Sequence, residues 1–264
     1  MWESKYYKNL QFYFLSLFEE LGLFSQFGVH FFRWVRQKPF RWKNLIAQMN
    51  FIGVDSTPII LLVSLFTGAV FALQTGYAFR LFNAQSLVGA TVGLSLTREI
   101  APVFAALMVT ARAGSSMAAE IGSMRVTEQI DALEAMAINP IHYLLVPRVL
   151  AGTLMLPLLT VVFNFVGFVG AYLVGVGLLN IPEGPFMSRM STYVDVDDLF
   201  GGLIKAIIFG FLITLISCYQ GYKTQGGAQG VGRATTRAVV ISSVTILVVD
   251  YFLTQWILEL MGSK

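Results

Sequence analysis

The chain has 264 residues, of which 56% are hydrophobic and only 12% are charged. Soluble domains usually carry about 25% charged residues, so this composition indicates a membrane protein and excludes a disordered chain. The single cysteine, Cys218, excludes a disulfide-stabilised scaffold. The formal net charge of +3 is small, and no nucleic-acid partner is expected.

Residues 1–50 are predicted to form an N-terminal segment distinct from the rest of the chain. A long aromatic stretch from Leu10 to Val35 contains Glu19 and Glu20, and a run of basic residues follows it. An apolar stretch with an acidic break and a basic flank favours an amphipathic helix that lies in the membrane interface. A sixth membrane span whose two acidic residues face a partner is the alternative.

Residues 51–264 are predicted to form a transmembrane domain, because they contain segments long and apolar enough to cross a bilayer. The five predicted spans, numbered in chain order, are Thr57–Phe79, Leu87–Ala111, Val149–Ile181, Leu199–Tyr222 and Ala238–Leu258. The third span is longer than one crossing requires, so we expect it to tilt, protrude or bend. The sequence therefore predicts an all-α integral membrane protein with an interfacial helix and five transmembrane helices.

The distribution of the 18 basic residues predicts the orientation of these spans. Most of them lie in the N-terminal segment and in the connections that follow the second and fourth spans. Because basic residues concentrate on the cytosolic side of membrane proteins, the N-terminus is predicted to be cytosolic. Five crossings then place the C-terminus on the periplasmic side.

Arg98 and Glu99 are adjacent ionisable residues inside the apolar second span, close to Pro102. A charge at the centre of a spanning helix costs roughly 2.5–3.5 kcal/mol on insertion scales, so such residues usually line a cavity or pair with a partner. Successive side chains on a helix point about 100° apart, which prevents the two residues from simply neutralising each other. The pair is predicted to line a substrate cavity, and a structural ion pair with another helix is the alternative.

Asp250 is a lone carboxylate in the fifth span. We expect it to pair with a cation such as Arg98, Arg112 or Arg237. A role in a proton relay is the alternative, and the corresponding function would be a proton-coupled secondary transporter that uses Glu99 and Asp250. The two histidines are too few for a metal site, and no cofactor is expected.

A segment between the second and third spans, Glu120 to Pro140, has the pattern of a short amphipathic helix. Apolar residues recur on one helical face, at Val126, Ile130, Leu133 and Ala137. Glu128, Asp131 and Glu134 make the remaining surface acidic, which suits a protein partner better than an anionic membrane surface. The segment is therefore predicted to dock a protein, with a plain solvated hairpin helix as the alternative.

Longer motifs in the chain resemble those of the MlaE/YrbE permeases, which belong to ABC transporters that work with MCE proteins. The motifs that carry the resemblance are Leu94–Pro102, Ala111–Gly122, Thr127–Leu133 and Gly232–Val240. The resemblance covers roughly residues 50–260, and the N-terminal segment matches only by its position and character.

The resemblance implies a non-enzymatic permease subunit in the inner membrane that forms a homodimer and carries glycerophospholipid. Its implied partners are a cytosolic ABC ATPase, a periplasmic MCE-domain protein and often a small STAS-like subunit. Arg98 and Glu99 would lie near a lipid cavity, with Gln74 and Tyr77 as weaker candidates for the same cavity. The helix around Val126 to Met136 would couple the permease to the ATPase, through the residues Glu128, Ile130, Leu133 and Glu134.

Overall fold

The structure of the chain is a computed structural model that describes residues 20, 22–37 and 41–262. Within these ranges all regular secondary structure is helical, which confirms the predicted all-α membrane fold. Residues 10–19 and 21 of the predicted aromatic stretch lie outside the described residues. The part that is described, 22–35, is a helix, as predicted.

The α-helices follow one another along the chain with short connections. They are α1 (22–35), α2 (Trp42–Ile52), α3 (Thr57–Arg80), α4 (Val88–Ser95), α5 (Ala101–Val109), α6 (Ser115–Val126), α7 (Gln129–Ala135), α8 (Val146–Tyr172), α9 (Glu183–Tyr193), α10 (Val196–Tyr222) and α11 (Gly227–Gly262). Wider π-helical turns occupy Leu96–Ile100, Thr110–Gly114, Ile141–Leu145 and Leu173–Leu178, and 3₁₀ turns occupy Val54–Ser56 and Gln85–Leu87.

The structure confirms the five predicted spans and revises their ends. Helical stretches with the length and composition of membrane spans cover Trp42–Arg80, Gln85–Val126, Ile141–Leu178, Val196–Tyr222 and Gly227–Glu259. The second span does not stop at Ala111, because a π-helical turn at Thr110–Gly114 carries the helix on into α6. The third span accommodates its 38 residues with Pro157 inside α8 and a π-helical turn at each end.

The spans pack at close range through glycines. Gly68 of α3 lies directly against Gly167 of α8, and a Cβ at Gly68 would overlap the carbonyl oxygen of Gly167. Gly210 of α10 approaches Gly152 of α8 in the same way. Small residues allow backbones of neighbouring membrane helices to touch, so α3 and α10 are both held tightly against α8.

The N-terminal helix α1 packs its aromatic face on the same end of the bundle as α7. Phe27 and Phe31 are buried, and they share an apolar cluster with Ile130, Leu145 and Tyr219. The ring of Phe27 meets the ring of Tyr219 edge to face, with 5.4 Å between the centroids. Part of the apolar face of α1 is thus covered by this chain itself.

Candidate functional site

A cluster of charged residues joins the second, fourth and fifth spans inside the bundle. Arg98 and Glu99 lie in the π-helical turn Leu96–Ile100, and Asp198 and Lys205 lie on α10. Asp250 on α11 completes the group, which we call the charged cluster. A π turn inserts an extra residue into the helix and often occurs at functional sites.

Arg98 pairs with Asp198. Its Nε donates a hydrogen bond of 2.7 Å to Oδ1 of Asp198, and the Arg98 Nη2 atom lies 2.6 Å from the same oxygen. The other carboxylate oxygen of Asp198 accepts a hydrogen bond of 3.0 Å from the backbone N–H of Asp195, which closes a capping box at the start of α10. Asp198 is only 1% exposed, and both of its oxygens have partners.

Lys205 is the centre of the cluster. Its ammonium nitrogen lies 2.6 Å from Oε2 of Glu99 and 3.0 Å from Oδ1 of Asp250. It also donates to the Thr254 hydroxyl at 2.7 Å and to the carbonyl oxygen of Arg98 at 3.1 Å. Lys205 is 2% exposed, so this buried cation depends on these acceptors for the solvation that water would otherwise provide.

Local sequence explains why the Arg98 carbonyl can receive this bond. Pro102 lies four residues after Arg98 and has no N–H, so it cannot make the ordinary α-helical hydrogen bond to that carbonyl. The Lys205 ammonium reaches this oxygen from α10.

A glycine brings α10 close enough for both ion pairs to form. Gly202 lies against the backbone of Thr97, and a Cβ at this position would overlap the Thr97 carbonyl oxygen. Asp198 and Lys205 are four residues before and three residues after Gly202, so all three lie on one face of α10. The close approach at Gly202 therefore places an acid and a base next to Arg98 and Glu99.

The charged cluster opens into a narrow cleft of about 270 Å³, a volume that includes the space open to its surroundings at the mouth. Arg98 and Glu99 are each 38% exposed, whereas the residues that pair with them on α10 are buried. Ile257 and Leu258 of α11 supply an apolar wall beside the charges. The arrangement can present a cationic and an anionic group to an amphiphilic ligand while the buried partners hold them in place.

Gln74 and Tyr77 line two other hollows of the chain. Gln74 borders a hollow of about 690 Å³ that is otherwise mainly apolar and includes Phe66, Phe104 and Ile100. Tyr77 borders a more polar hollow of about 1060 Å³ together with Arg80. Within one chain, neither residue lines the cleft of the charged cluster. The family resemblance implied instead that Gln74 and Tyr77 share one cavity with Arg98 and Glu99. Ile100 follows Glu99 directly, so the Gln74 hollow is the nearer of the two to the cluster along the second span.

The helix α7 is shorter than the coupling helix that was predicted around Val126 to Met136, and a different set of its residues faces the core. Glu128 adopts a left-handed conformation, with φ of 60°, and it separates α6 from α7. This break turns Ile130 inward, where it is fully buried against the aromatic residues of α1. The prediction that Ile130 lies on a docking surface is therefore wrong.

The exposed side of α7 carries the other predicted coupling residues. Glu128 and Glu134 are exposed, Leu133 is partly exposed, and Met136 just after the helix is 60% exposed. Glu134 accepts a hydrogen bond of 3.4 Å from the Tyr222 hydroxyl at the end of α10. This side of α7, formed by Glu128, Leu133, Glu134 and Met136, is called the α7 surface below.

Sequence reasoning missed most of the partners in the charged cluster. The prediction that Asp250 pairs with a cation is confirmed, but the cation is Lys205 and not one of the arginines named as examples, Arg98, Arg112 and Arg237. Arg112 instead donates to the hydroxyl of Ser56 at 2.8 Å and to the carbonyl oxygen of Phe51. Lys205 was visible as a charge near the start of the fourth span, and the cost of burying it was the available signal.

Comparison with known proteins agrees with this architecture. The sequence profile of the family described as "Permease MlaE" matches residues 45–256, which is most of the chain and includes the whole charged cluster. This chain belongs to the MlaE permease family.

Members of the family and related proteins match over long stretches. A "Probable ABC transporter permease protein" of Rickettsia bellii is 43% identical over 241 residues, which cover 91% of this chain and 93% of the relative. The "Intermembrane phospholipid transport system permease protein MlaE" of Haemophilus influenzae is 42% identical over 212 residues, or 80% of this chain and 81% of the relative. The chloroplast protein "TRIGALACTOSYLDIACYLGLYCEROL 1" of Arabidopsis thaliana is 36% identical and matches 84% of this chain and 64% of its own length.

Proposed function

We propose that this chain is the permease subunit of an ABC transporter that moves glycerophospholipids between the inner membrane and an MCE-protein conduit to the outer membrane. Family membership supports the permease role, and the names of the Rickettsia and Haemophilus relatives support the transporter class and the phospholipid cargo. The observation that carries the proposal is the charged cluster, because ionised residues inside a membrane bundle are costly and usually mark a transport site.

A glycerophospholipid has a charged head and apolar tails, and the second span offers surfaces for both. Arg98 and Glu99 would contact the headgroup at the open side of the cluster, where each is 38% exposed. The mainly apolar hollow at Gln74 and Phe104 would take part of an acyl chain, and it is lined by Ile100, the residue that follows Glu99. Tyr77 remains a weaker candidate for contact with the lipid further along α3.

The proposed assembly is a homodimer bound to a separate cytosolic ABC ATPase and to a periplasmic MCE-domain protein, with a STAS-like subunit as a further partner. Hydrolysis of ATP would take place entirely in the ATPase. This chain would perform no covalent chemistry and would use no cofactor. Its task would be to hold a lipid and to change the access to that lipid when the ATPase moves.

A charge-deletion variant tests the lipid site. Replacing Arg98 and Glu99 alone by leucine would remove the cation that pairs with the buried Asp198 and one of the two acids that pair with Lys205, and breaking a buried pair costs about 3–5 kcal/mol. The sharper test is the triple variant Glu99→Gln, Lys205→Met and Asp250→Asn, which removes one connected group of charges together. We expect this variant to assemble with its ATPase and to transfer phospholipid between vesicles at a strongly reduced rate.

The control changes a charge outside the charged cluster and away from the α7 surface. Arg189 is an exposed residue of α9, and Arg189→Gln should leave lipid transfer near normal. Transfer at the wild-type rate by the triple variant would contradict the proposed site and would leave the cluster with a structural role only.

The α7 surface is the proposed contact with the ATPase. Because Ile130 is buried in the core of the chain, the informative variant is Leu133→Asp with Met136→Asp, which places charge on exposed apolar positions. We expect the variant permease to insert into the membrane and to lose the co-purifying ATPase. Leu199→Asp, at a distant and partly exposed position on α10, serves as a control. Retention of the ATPase by the α7 variant would rule out docking at this surface.

The proposed orientation places the N-terminus in the cytosol and the C-terminus in the periplasm. A cysteine at Ser191 in α9 should then react with an impermeant thiol reagent from the periplasm, and one at Gln229 in α11 should not. The reverse labelling would overturn the orientation.

A proton-coupled secondary transporter is the second candidate, and one observation favours it. Glu99 and Asp250 share a single cation, Lys205, so the group of three carries one more acidic than basic residue. Such a group could take up a proton. This function predicts lipid transfer that follows a pH gradient and needs no ATP, whereas the ABC transporter predicts transfer that stops when ATP is withheld.

A further inference from the structure

A further hollow, lined by basic residues, lies at the end of α10 and α11 that is opposite to the charged cluster. It contains about 640 Å³ of space, and three of its lining residues are Lys223, Arg233 and Arg237. Gln220, Thr224 and Gln225 add side chains that can donate hydrogen bonds, and none of the described residues that line the hollow is acidic. We call this the basic hollow.

Two of the three cations in the basic hollow are available to a ligand. Lys223 makes an ion pair of 2.9 Å with Glu20, and this hydrogen bond is the main reason why the pKa of Lys223 lies above its ordinary value. The nearby positive charge of Arg237 acts in the opposite direction on the same pKa. Within the part of the chain that the structure describes, Arg233 and Arg237 form no ion pair, and both are exposed. Three cations near one acidic residue leave an excess of positive charge.

The turn between the two spans shapes the basic hollow. Gly226 and Gly227 have positive φ angles of 88° and 65°, a conformation that suits glycine, and α11 begins immediately after this turn. Gly230 in the first turn of α11 packs directly on the carbonyl of Gln225. The turn therefore closes tightly and brings the Arg233 side chain next to Gly226.

An apolar stripe continues from the arginines along α11. Arg233, Arg237, Val240 and Val244 follow one another at spacings of four, three and four residues, which places them on a single helical face. Val240 is 55% exposed and Val244 is 56% exposed. A ligand on this face would meet two guanidinium groups where α11 leaves the bilayer and aliphatic side chains further in. That order of charges and apolar surface matches a phospholipid, whose phosphate lies at the interface above its acyl chains.

We propose that the basic hollow binds the phosphate of an acidic phospholipid headgroup, with one acyl chain along Val240 and Val244. Arg233 and Arg237 would hold the phosphate oxygens, since guanidinium groups bind phosphate through paired N–H donors. The site is separate from the proposed transport site at Arg98 and Glu99. It holds a lipid as a bound component of the permease. Assignment of this lipid to the cytoplasmic leaflet rests on the orientation given under the proposed function.

The test measures lipid retention by the complete complex purified with this chain. The complex is reconstituted in phosphatidylcholine bilayers that contain a minor fraction of phosphatidylglycerol, and retained lipid is counted by native mass spectrometry. The variant Arg233→Gln with Arg237→Gln should lower the apparent affinity for phosphatidylglycerol on the order of tenfold, which corresponds to about 1.4 kcal/mol. Arg233→Lys with Arg237→Lys keeps both charges but loses the paired donors, so it should retain more phosphatidylglycerol than the Gln variant and less than the wild type.

Two controls distinguish binding in the basic hollow from general attraction to basic residues and from binding at the transport site. Arg36→Gln with Lys43→Gln removes two exposed basic residues of the same side of the membrane that do not line the basic hollow, and it should leave retention unchanged. The triple variant of Glu99, Lys205 and Asp250 should also keep its phosphatidylglycerol, so failure of the transport site would not affect this result.

Four results would overturn the proposal. The Gln variant could retain as much phosphatidylglycerol as the wild type, or the control at Arg36 and Lys43 could lose as much as the Gln variant. Inorganic phosphate could bind the complex in bilayers of phosphatidylcholine alone and displace phosphatidylglycerol from the complex in the mixed bilayers, which would identify a soluble anion. Loss of the ATPase from the Gln variant with unchanged lipid retention would identify a protein-docking surface.

Discussion

The second span contains two π-helical turns, and each carries an arginine that reaches another part of the chain. In the turn Leu96–Ile100, Arg98 binds the carboxylate of Asp198 beside an open cleft. In the turn Thr110–Gly114, the hydrogen bonds that Arg112 donates go to neutral groups, the hydroxyl of Ser56 and the backbone carbonyl of Phe51, and the Asp55 carboxylate lies near enough to attract its charge. The Arg112 guanidinium also lies over the Phe51 ring, 4.9 Å from its centroid.

The difference shows two uses of the same residue type in the same local geometry. Arg112 ties the second span to the junction of α2 and α3 through oxygen acceptors and an aromatic face, and it forms no ion pair within 4 Å in the part of the chain that the structure describes. Arg98 belongs to a network of acids and bases that is half open to a cleft. An arginine that only holds helices together can be satisfied by neutral hydrogen-bond partners. The charged network around Arg98 is therefore the better candidate for contact with a charged ligand.

The largest effect is expected when the centre of the charged cluster is removed alone. Lys205→Met leaves Glu99 and Asp250 without their shared cation, and loss of one member of a buried pair typically costs about 3–5 kcal/mol. We expect a severe loss of folded permease, measured as the yield and thermal stability of the purified protein. Addition of Glu99→Gln and Asp250→Asn should restore most of the yield, and no restoration would show that Lys205 acts through packing.

An intermediate effect is expected at the neutral anchor. Arg112→Met removes two hydrogen bonds and the contact with the Phe51 ring, which together should lower the free energy of unfolding by about 1–3 kcal/mol. Lipid transfer per folded molecule should stay near the wild-type value. By contrast, Arg98→Met with Asp198→Asn should reduce transfer per folded molecule, while the new asparagine side chain can still cap α10. Equal transfer defects in both variants would remove the distinction between anchor and site.

The smallest effect is expected at the partner of the neutral anchor. Ser56→Ala deletes a fully buried hydroxyl that accepts one hydrogen bond from Arg112, so the cost should be about 1 kcal/mol. The change should be visible as a small drop in thermal stability with unchanged lipid transfer. Ser188→Ala, at an exposed position on α9, is the matched control and should have almost no effect. If Ser56→Ala lowers the thermal stability as much as Arg112→Met does, the hydrogen bond between Ser56 and Arg112 accounts for the whole stabilising effect of Arg112.

Much of the architecture could be predicted because it depends on local composition. Bilayer thickness sets the length of an apolar helix, so all five spans were located from hydrophobicity alone, with errors confined to their ends. The errors arose where a helix continues past the apolar stretch, as at α6, since nothing in hydropathy marks such a continuation. Arg98 and Glu99 were found for the same reason, as charges in a segment where charge is expensive.

The sequence by itself determined the fold class, the number of spans and the family, because hydrophobic length and long polar motifs are properties of neighbouring residues. Only the tertiary structure decided which residues meet. Asp198 and Lys205 reach Arg98 and Glu99 because Gly202 lets two helix backbones touch, about a hundred residues apart along the chain. Ile130 turns inward because Glu128 breaks the helix before it. Such contacts depend on how helices approach and rotate against each other, and the sequence pattern of one helix does not specify which residues of other helices it will contact.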